Sequence, residues 1–229
     1  MLLIKEVIVM CGRYTLTADK RMIQRRFAAE VIPERVDRRY NIAPSQEVLC
    51  IINDGTSNRA GFMRWGLVPS WADDPKIGFK MINARAETVH EKPAFKRLLQ
   101  RRRCLIAADG FYEWKQENGV KQPYHIQVKE KPLFAFAGLW DKWEKKGEVI
   151  TSCTIITTKA NSLVEDIHGR MPVILRAERE KEWLDKEEDD PYHLTTLLEA
   201  FPAEKMEAYP VSPEVNHPKN EYASLINSL

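Results

Sequence analysis

The 229-residue sequence has no apolar run approaching the roughly 20 residues that cross a bilayer as a helix. It has no internal repeat, no low-complexity tract and no Gly/Ser linker, which leaves one domain as the default. Cysteine is scarce. Cys11, Cys50, Cys104 and Cys153 are widely scattered without a CxxC pair, so neither a zinc site nor a disulfide framework is indicated. Net charge is nearly absent as well. Thirty-five Lys and Arg stand against 33 Asp and Glu, so binding to a polyanion must rest on local clustering of charge. The opening MLLIKEVIV is apolar but broken by Lys5 and Glu6, and it lacks the basic start and small-residue cleavage site of a signal peptide. A reducing, cytoplasmic setting is therefore expected, with no membrane, metal or cofactor.

What is present is a core-forming composition, 44% hydrophobic and 30% charged. LTADKRMIQRRFAAE predicts a helix, with Thr17 or Asp19 as its cap and Ile23 and Phe27 on one face. EKPAFKRLLQRRR predicts a second, with Pro93 in its first turn, Phe95, Leu98 and Leu99 inward, and Lys92, Lys96, Arg97 and Arg101 outward. AEREKEWLDKEE and LTTLLEAF predict two more. Between them lie β-branched and aromatic runs: VLCIIN, RCLIAAD, FYEW, YHIQVK, LFAFAGLW, SCTIITT and MPVIL. Asn118-Gly119 marks a hairpin tip. Strands that follow one another without helices between them predict an α+β domain, a mostly antiparallel, curled or barrel-like sheet with peripheral helices.

Several polar residues carry candidate chemistry. If Cys11 were the first residue, its α-amine would titrate near pH 8 and condense with aldehydes. Its thiol could then close a five-membered thiazolidine on the imine carbon, a ring closure favoured by proximity. A buried cysteine acting as a small hydrophobe is the plainer reading of the residue alone. Glu113, between Tyr112 and Trp114, would face away from both on a strand; near apolar walls its pKa would rise, fitting it for general acid work. A solvated strand glutamate is the alternative. His168, ahead of Gly169 and Arg170, could move protons near neutral pH or simply cap a turn.

MCGRY, YNIAPSQ, RWGLVPSWA, NARAET, ADGFYEW, FAGLWD, TIITTKAN and HGRMPVIL occur in that order. The ordered set resembles the SOS response-associated peptidase (SRAP) family of abasic-site proteins, from about residue 10 to the C-terminus. The resemblance implies that Cys11, exposed by loss of an initiator methionine, forms a thiazolidine with the ring-opened aldehyde of an abasic site in single-stranded DNA. It places the active-site asparagine, glutamate and histidine on Asn83, Glu113 and His168, and a phosphate-binding arginine on Arg85. It implies a role in the DNA-damage (SOS) response, and a monomer associated with the nucleoid is expected. Ala107 and Gly169 depart from the family's usual Pro and Asp; neither position is reactive.

On chemical grounds Glu113 would open the sugar hemiacetal and assist water loss, His168 would move protons, and Asn83 would orient the amine or a sugar oxygen. Arg13, Arg85 and Arg170 would pair with phosphates through their planar forks. Trp65, Trp71 and Trp114 would stack on splayed bases, with core packing as the alternative for each. Trp140 and Trp143 are assigned to the core or a structural edge.

Residues 1–9 are an extension ahead of a domain over 10–229. With them attached, the Cys11 nitrogen is an amide and cannot form an imine. Translation from Met10, cleavage before Cys11, or a blocked chain that binds without cross-linking are the three readings, and the first is favoured. A cysteine peptidase using Cys11, His168 and Glu113, cutting its own chain or others, is the competing function. A single-strand DNA binder without chemistry is the third.

Overall fold

The computed structural model describes residues 11–117, 119–130, 133–145 and 147–229. The extension 1–9, Met10 and Asn118 fall outside them. In chain order the elements are β1 (Arg13–Leu16), α1 (Lys20–Arg26), β2 (Ala29–Val31), β3 (Arg39–Ile42), β4 (Glu47–Asn53), β5 (Asn58–Trp65) and β6 (Asn83–Arg85). There follow α2 (Pro93–Arg101), β7 (Arg103–Ala108), β8 (Gly110–Glu117), β9 (Val120–Val128), β10 (Phe134–Lys145) and β11 (Glu148–Lys159). The chain ends with α3 (Ser162–Glu165), β12 (Arg170–Pro172), α4 (Ala177–Leu184), α5 (Pro191–Thr196) and β13 (Met206–Pro210).

β11, β10, β7, β4 and β5 pair in that order, and β5 returns to β11 to close a ring. The closing pair is parallel, Ser152 opposite Arg64 and Cys153 opposite Trp65, and the other four are antiparallel. A second, antiparallel sheet runs β13-β9-β8-β1-β3. The fold is thus the α+β, barrel-like arrangement expected, with a mixed rather than purely antiparallel barrel.

Local chemistry explains the elements. β7 is buried at every residue, so the alternation of a one-sided strand is missing from RCLIAA. Its outer side is covered in part by α4, whose Trp183 Nε1 donates to the Cys104 carbonyl at 3.0 Å. In the barrel wall, a Cβ added to Gly138 would meet Ile106 Cδ1 at 2.8 Å and Cys104 Sγ at 2.9 Å, so glycine lets β10 approach β7 closely. Cys50 and Cys153 lie with their sulfurs 3.7 Å apart, fully buried.

Asp19 caps α1 by accepting from the Met22 N–H at 2.9 Å, and Ile23 and Phe27 are buried as the periodicity predicts. The helix is shorter than predicted. Ala28 turns the chain in the left-handed region at φ 48°, and Ala29 begins a strand. α2 starts at Pro93 as expected. The last predicted helix is shifted: α5 begins at Pro191 on an Asp190 cap and stops before Leu197. Gly119, at φ 82°, lies in the β8–β9 hairpin, where Glu117 pairs with Val120.

Candidate active site

The register of β1 against β8, Arg13 opposite Tyr112 and Tyr14 opposite Phe111, carries the chain just before Arg13 past Glu113. Phe111 and Glu113 point one way along β8. Tyr112 points the other way, into a small apolar cluster with Val211, Val215 and Leu225, and Trp114 packs against that cluster. Glu113 is therefore the polar end of a core-facing row, 2% exposed. The Cys11 N–H donates to Glu113 Oε1 at 2.9 Å. Cys11 itself is 4% exposed and sits at φ 40°, a left-handed conformation uncommon for a residue with a Cβ.

The other side of the site comes from β11 and the strands beside it. β6 pairs in parallel with β11, Asn83 opposite Ile155 and Arg85 opposite Thr157, which turns Ala84 into the core and the other two residues away from it. Asn83 Nδ2 donates to the Cys11 carbonyl at 3.5 Å. β12 pairs with β11 through Thr157, Thr158 and Lys159. Just before it, His168 Nδ1 lies 3.8 Å from Glu113 Oε2, 3.1 Å from the Arg170 carbonyl and 3.2 Å from the Arg170 N–H. One tautomer donates to that carbonyl and the other accepts from that amide. The Arg170 carbonyl also faces the Cys11 sulfur, S–H to O at 3.8 Å.

Burial dominates the electrostatics. It pushes the Glu113 carboxyl up to about 7, against the pull of His168 and the hydrogen bonds from Cys11. Burial also pushes the Cys11 thiol well above its ordinary value, and the neighbouring Glu113 adds to the effect. Around neutral pH the site thus holds a carboxyl poised between its two forms and a protonated thiol. Among the described residues no three His, Cys, Asp or Glu side chains are grouped as a metal would require.

The four residues read as catalytic, Cys11, Asn83, Glu113 and His168, converge. Of the candidate DNA contacts, Arg85 and Trp71 are exposed, Trp71 at 59%. The four others are placed differently. Trp65 is 1% exposed and gives its Nε1–H to the Ile82 carbonyl at 2.9 Å, so it is a core residue that braces the strand leading to Asn83 and cannot stack on a base. Arg13 donates to Asn41 Oδ1 at 2.8 Å and to the Val215 and Asn216 carbonyls at 2.6 and 3.1 Å, which ties down the C-terminal segment. Arg170 is already paired with Glu87. Trp114 is part-buried, with its Nε1–H on Asn216 Oδ1 at 2.7 Å. Phe79 was not marked by the sequence. It is 59% exposed, with the Arg64 guanidinium 5.4 Å from its ring centroid, and lies four residues before Asn83.

A family model described as SOS response associated peptidase (SRAP) matches residues 10–218. The chain belongs to this family. SRAP relatives include "Abasic site processing protein YoqW" of Bacillus subtilis, 53% identical over 96% of this chain and 100% of its own length. "Abasic site processing protein HMCES" of Gallus gallus is 42% identical over 69% of this chain and 54% of its own length. A crystal structure of a Bacteroides thetaiotaomicron protein superposes with a TM-score of 0.87 at 29% identity, covering 96% of this chain and all of that one. A Bordetella bronchiseptica protein, at 26% identity and 88% coverage of this chain, gives 0.76. No helix among the described residues is long and apolar enough to cross a membrane.

Proposed function

We propose that this protein processes abasic sites in DNA by covalent capture, with Cys11 as the first residue of the acting form. The observation that carries the proposal is the 2.9 Å contact between the Cys11 nitrogen and Glu113 Oε1, with Asn83 on the Cys11 carbonyl and His168 beside Glu113. The names of the SRAP relatives and a family match that begins at residue 10 support it.

The chemistry follows from the placement. An α-amine in the position of the Cys11 nitrogen lies against a carboxyl that can take its proton and return it. Glu113 in its acid form protonates the ring oxygen of the abasic deoxyribose while the anomeric hydroxyl gives up its proton to water, which frees the aldehyde. The amine adds to the carbonyl carbon. Glu113, aided by His168, protonates the departing hydroxyl, and one water leaves as the imine forms. The thiol then adds to the imine carbon while its proton passes to nitrogen, closing the thiazolidine. Arg85 holds a flanking phosphate, and Trp71 and Phe79 offer faces to unstacked bases, which fits a single strand.

A peptidase mechanism fits the geometry less well. A thiolate nucleophile needs a lowered thiol pKa, whereas burial raises this one. His168 Nδ1 is directed to Glu113 and Arg170.

The test uses two forms of the chain, one beginning at Cys11 and one keeping residues 1–10, each incubated with a single-stranded oligonucleotide carrying one abasic site. The Cys11 form should give a heat-stable adduct whose mass is the sum of the partners less one water. The longer form should give none unless it is cut. Cys11→Ala, with its amine intact, should give only an imine that borohydride traps. A heat-stable adduct from that variant, or none from the Cys11 form, would refute the proposal.

A further inference from the structure

Each nitrogen of the Arg170 guanidinium donates at least one hydrogen bond. Nη1 and Nη2 donate to Glu87 Oε1 and Oε2 at 3.0 and 2.9 Å, a bidentate pair. Nη2 also donates to the Thr157 carbonyl at 2.7 Å, and Nε to Thr157 Oγ1 at 3.4 Å. The side chain of Arg170 is only 15% exposed. This is the arrangement of a brace between two segments of the chain.

The two ends of the brace lie on the two short strands that flank β11 on its side of the site. Glu87 lies on the turn Ala86–Thr88 that follows β6, the strand carrying Asn83 and Arg85. Arg170 opens β12, and its backbone touches both His168 and the Cys11 sulfur. β11 runs between these strands, and Thr157 pairs with Pro172 of β12 and with Arg85 of β6. β6 and β12 are three residues long each, so few ladder hydrogen bonds fix them. The Glu87–Arg170 pair spans β11 and joins the two short strands where backbone pairing alone is weakest.

We infer that Glu87 is a positioning residue for the reaction: through Arg170 it sets His168 and the carbonyl facing the thiol against Asn83 and Glu113. This deepens the proposed function and rests on it. Glu87 touches no reacting atom, and its negative charge at the edge of a site for a polyanion works against DNA binding. Its replacement should therefore move binding and chemistry in opposite directions, which a loss of folded protein cannot do.

The experiment compares the wild-type chain beginning at Cys11 with Glu87→Gln, Arg170→Gln and the double variant. Single-turnover adduct formation is followed against oligonucleotide concentration, and amide hydrogen exchange is measured on the protein without DNA. Glu87→Gln should lower the maximal rate about 10- to 100-fold, the scale of a small misplacement of reacting groups. Half-saturation should stay at or below the wild-type concentration. Exchange should rise at the amides of 168–171 and stay unchanged at 104–108. The double variant should be no slower than Arg170→Gln alone, because both changes break one pair. A wild-type maximal rate and wild-type exchange in Glu87→Gln would overturn the inference. So would a rate loss matched by weaker DNA binding. If the wild-type chain forms no adduct, the proposed function falls, while the exchange data still decide whether Glu87 orders the His168 segment.

Discussion

The Glu113 carboxyl is raised to about 7 because it is buried, and that has a consequence for stability. In the unfolded chain the group titrates near the ordinary glutamate value, about 4.3. Between these two values the native protein holds a proton that the unfolded chain has released. Stability therefore falls as pH rises through this window and levels off above about 7. The gap corresponds to roughly 3–4 kcal/mol. In the chain that keeps residue 10, Glu113→Gln should flatten the slope of unfolding free energy between pH 5 and 7, measured by urea denaturation. In the form beginning at Cys11, the α-ammonium beside Glu113 favours the carboxylate, and the wild-type slope itself should shrink. The proposed chemistry of these residues could be read from the sequence because it depends on residue type: a cysteine that could become terminal, and a glutamate between two aromatics. Exposure was not. Trp65 and Trp71 lie in the same motif six residues apart, and only the barrel decides that one is sealed and the other open. Arg170 reads as a free cation until Glu87, 83 residues away, is placed against it.

At the level of elements, the segment leading to Asn83 is set by two glycines that touch. A Cβ added to Gly66, which sits at φ 126°, would meet the Gly78 carbonyl oxygen at 2.7 Å; one added to Gly78 would meet the Gly66 oxygen at the same distance. The Leu67 N–H then reaches the Met81 carbonyl at 3.0 Å, fixing the chain two residues before Asn83. Gly78→Ala should force the 3₁₀ turn Pro75–Lys80 outward at a cost of about 1–3 kcal/mol. A lower thermal midpoint and slower adduct formation, with Phe79 displaced, are the expected readouts. An unchanged midpoint would mean that the turn yields freely. The longer helices were readable because caps, a first-turn proline and an apolar face are local signals, as in α1 and α2. β6 was not, since three residues carry no period and its strand character comes from β11 alongside it, whereas β12 overlaps the start of the predicted MPVIL run.

Across the whole molecule, the closed ring makes β11 a shared wall of the barrel and of the reactive pocket. Unfolding should therefore be one cooperative event, with tryptophan fluorescence from buried Trp65 and Trp183 and far-ultraviolet circular dichroism changing together in urea. Separate midpoints would show that the β13-β9-β8-β1-β3 sheet holds without the barrel. The α+β class was legible from consecutive strands, but the parallel contact of Ser152 and Cys153 with Arg64 and Trp65 was not, because no local pattern announces a pairing across so much chain. The same long reach affects the order of events during synthesis. Cys11 emerges from the ribosome early, whereas Glu113 follows 102 residues later and Arg170 159 residues later. At ordinary elongation speeds that delay is roughly 8–30 s. The nascent chain thus carries the Cys11 sulfur well before the groups proposed to direct it, and the proposed aldehyde chemistry is assembled only when translation is nearly finished.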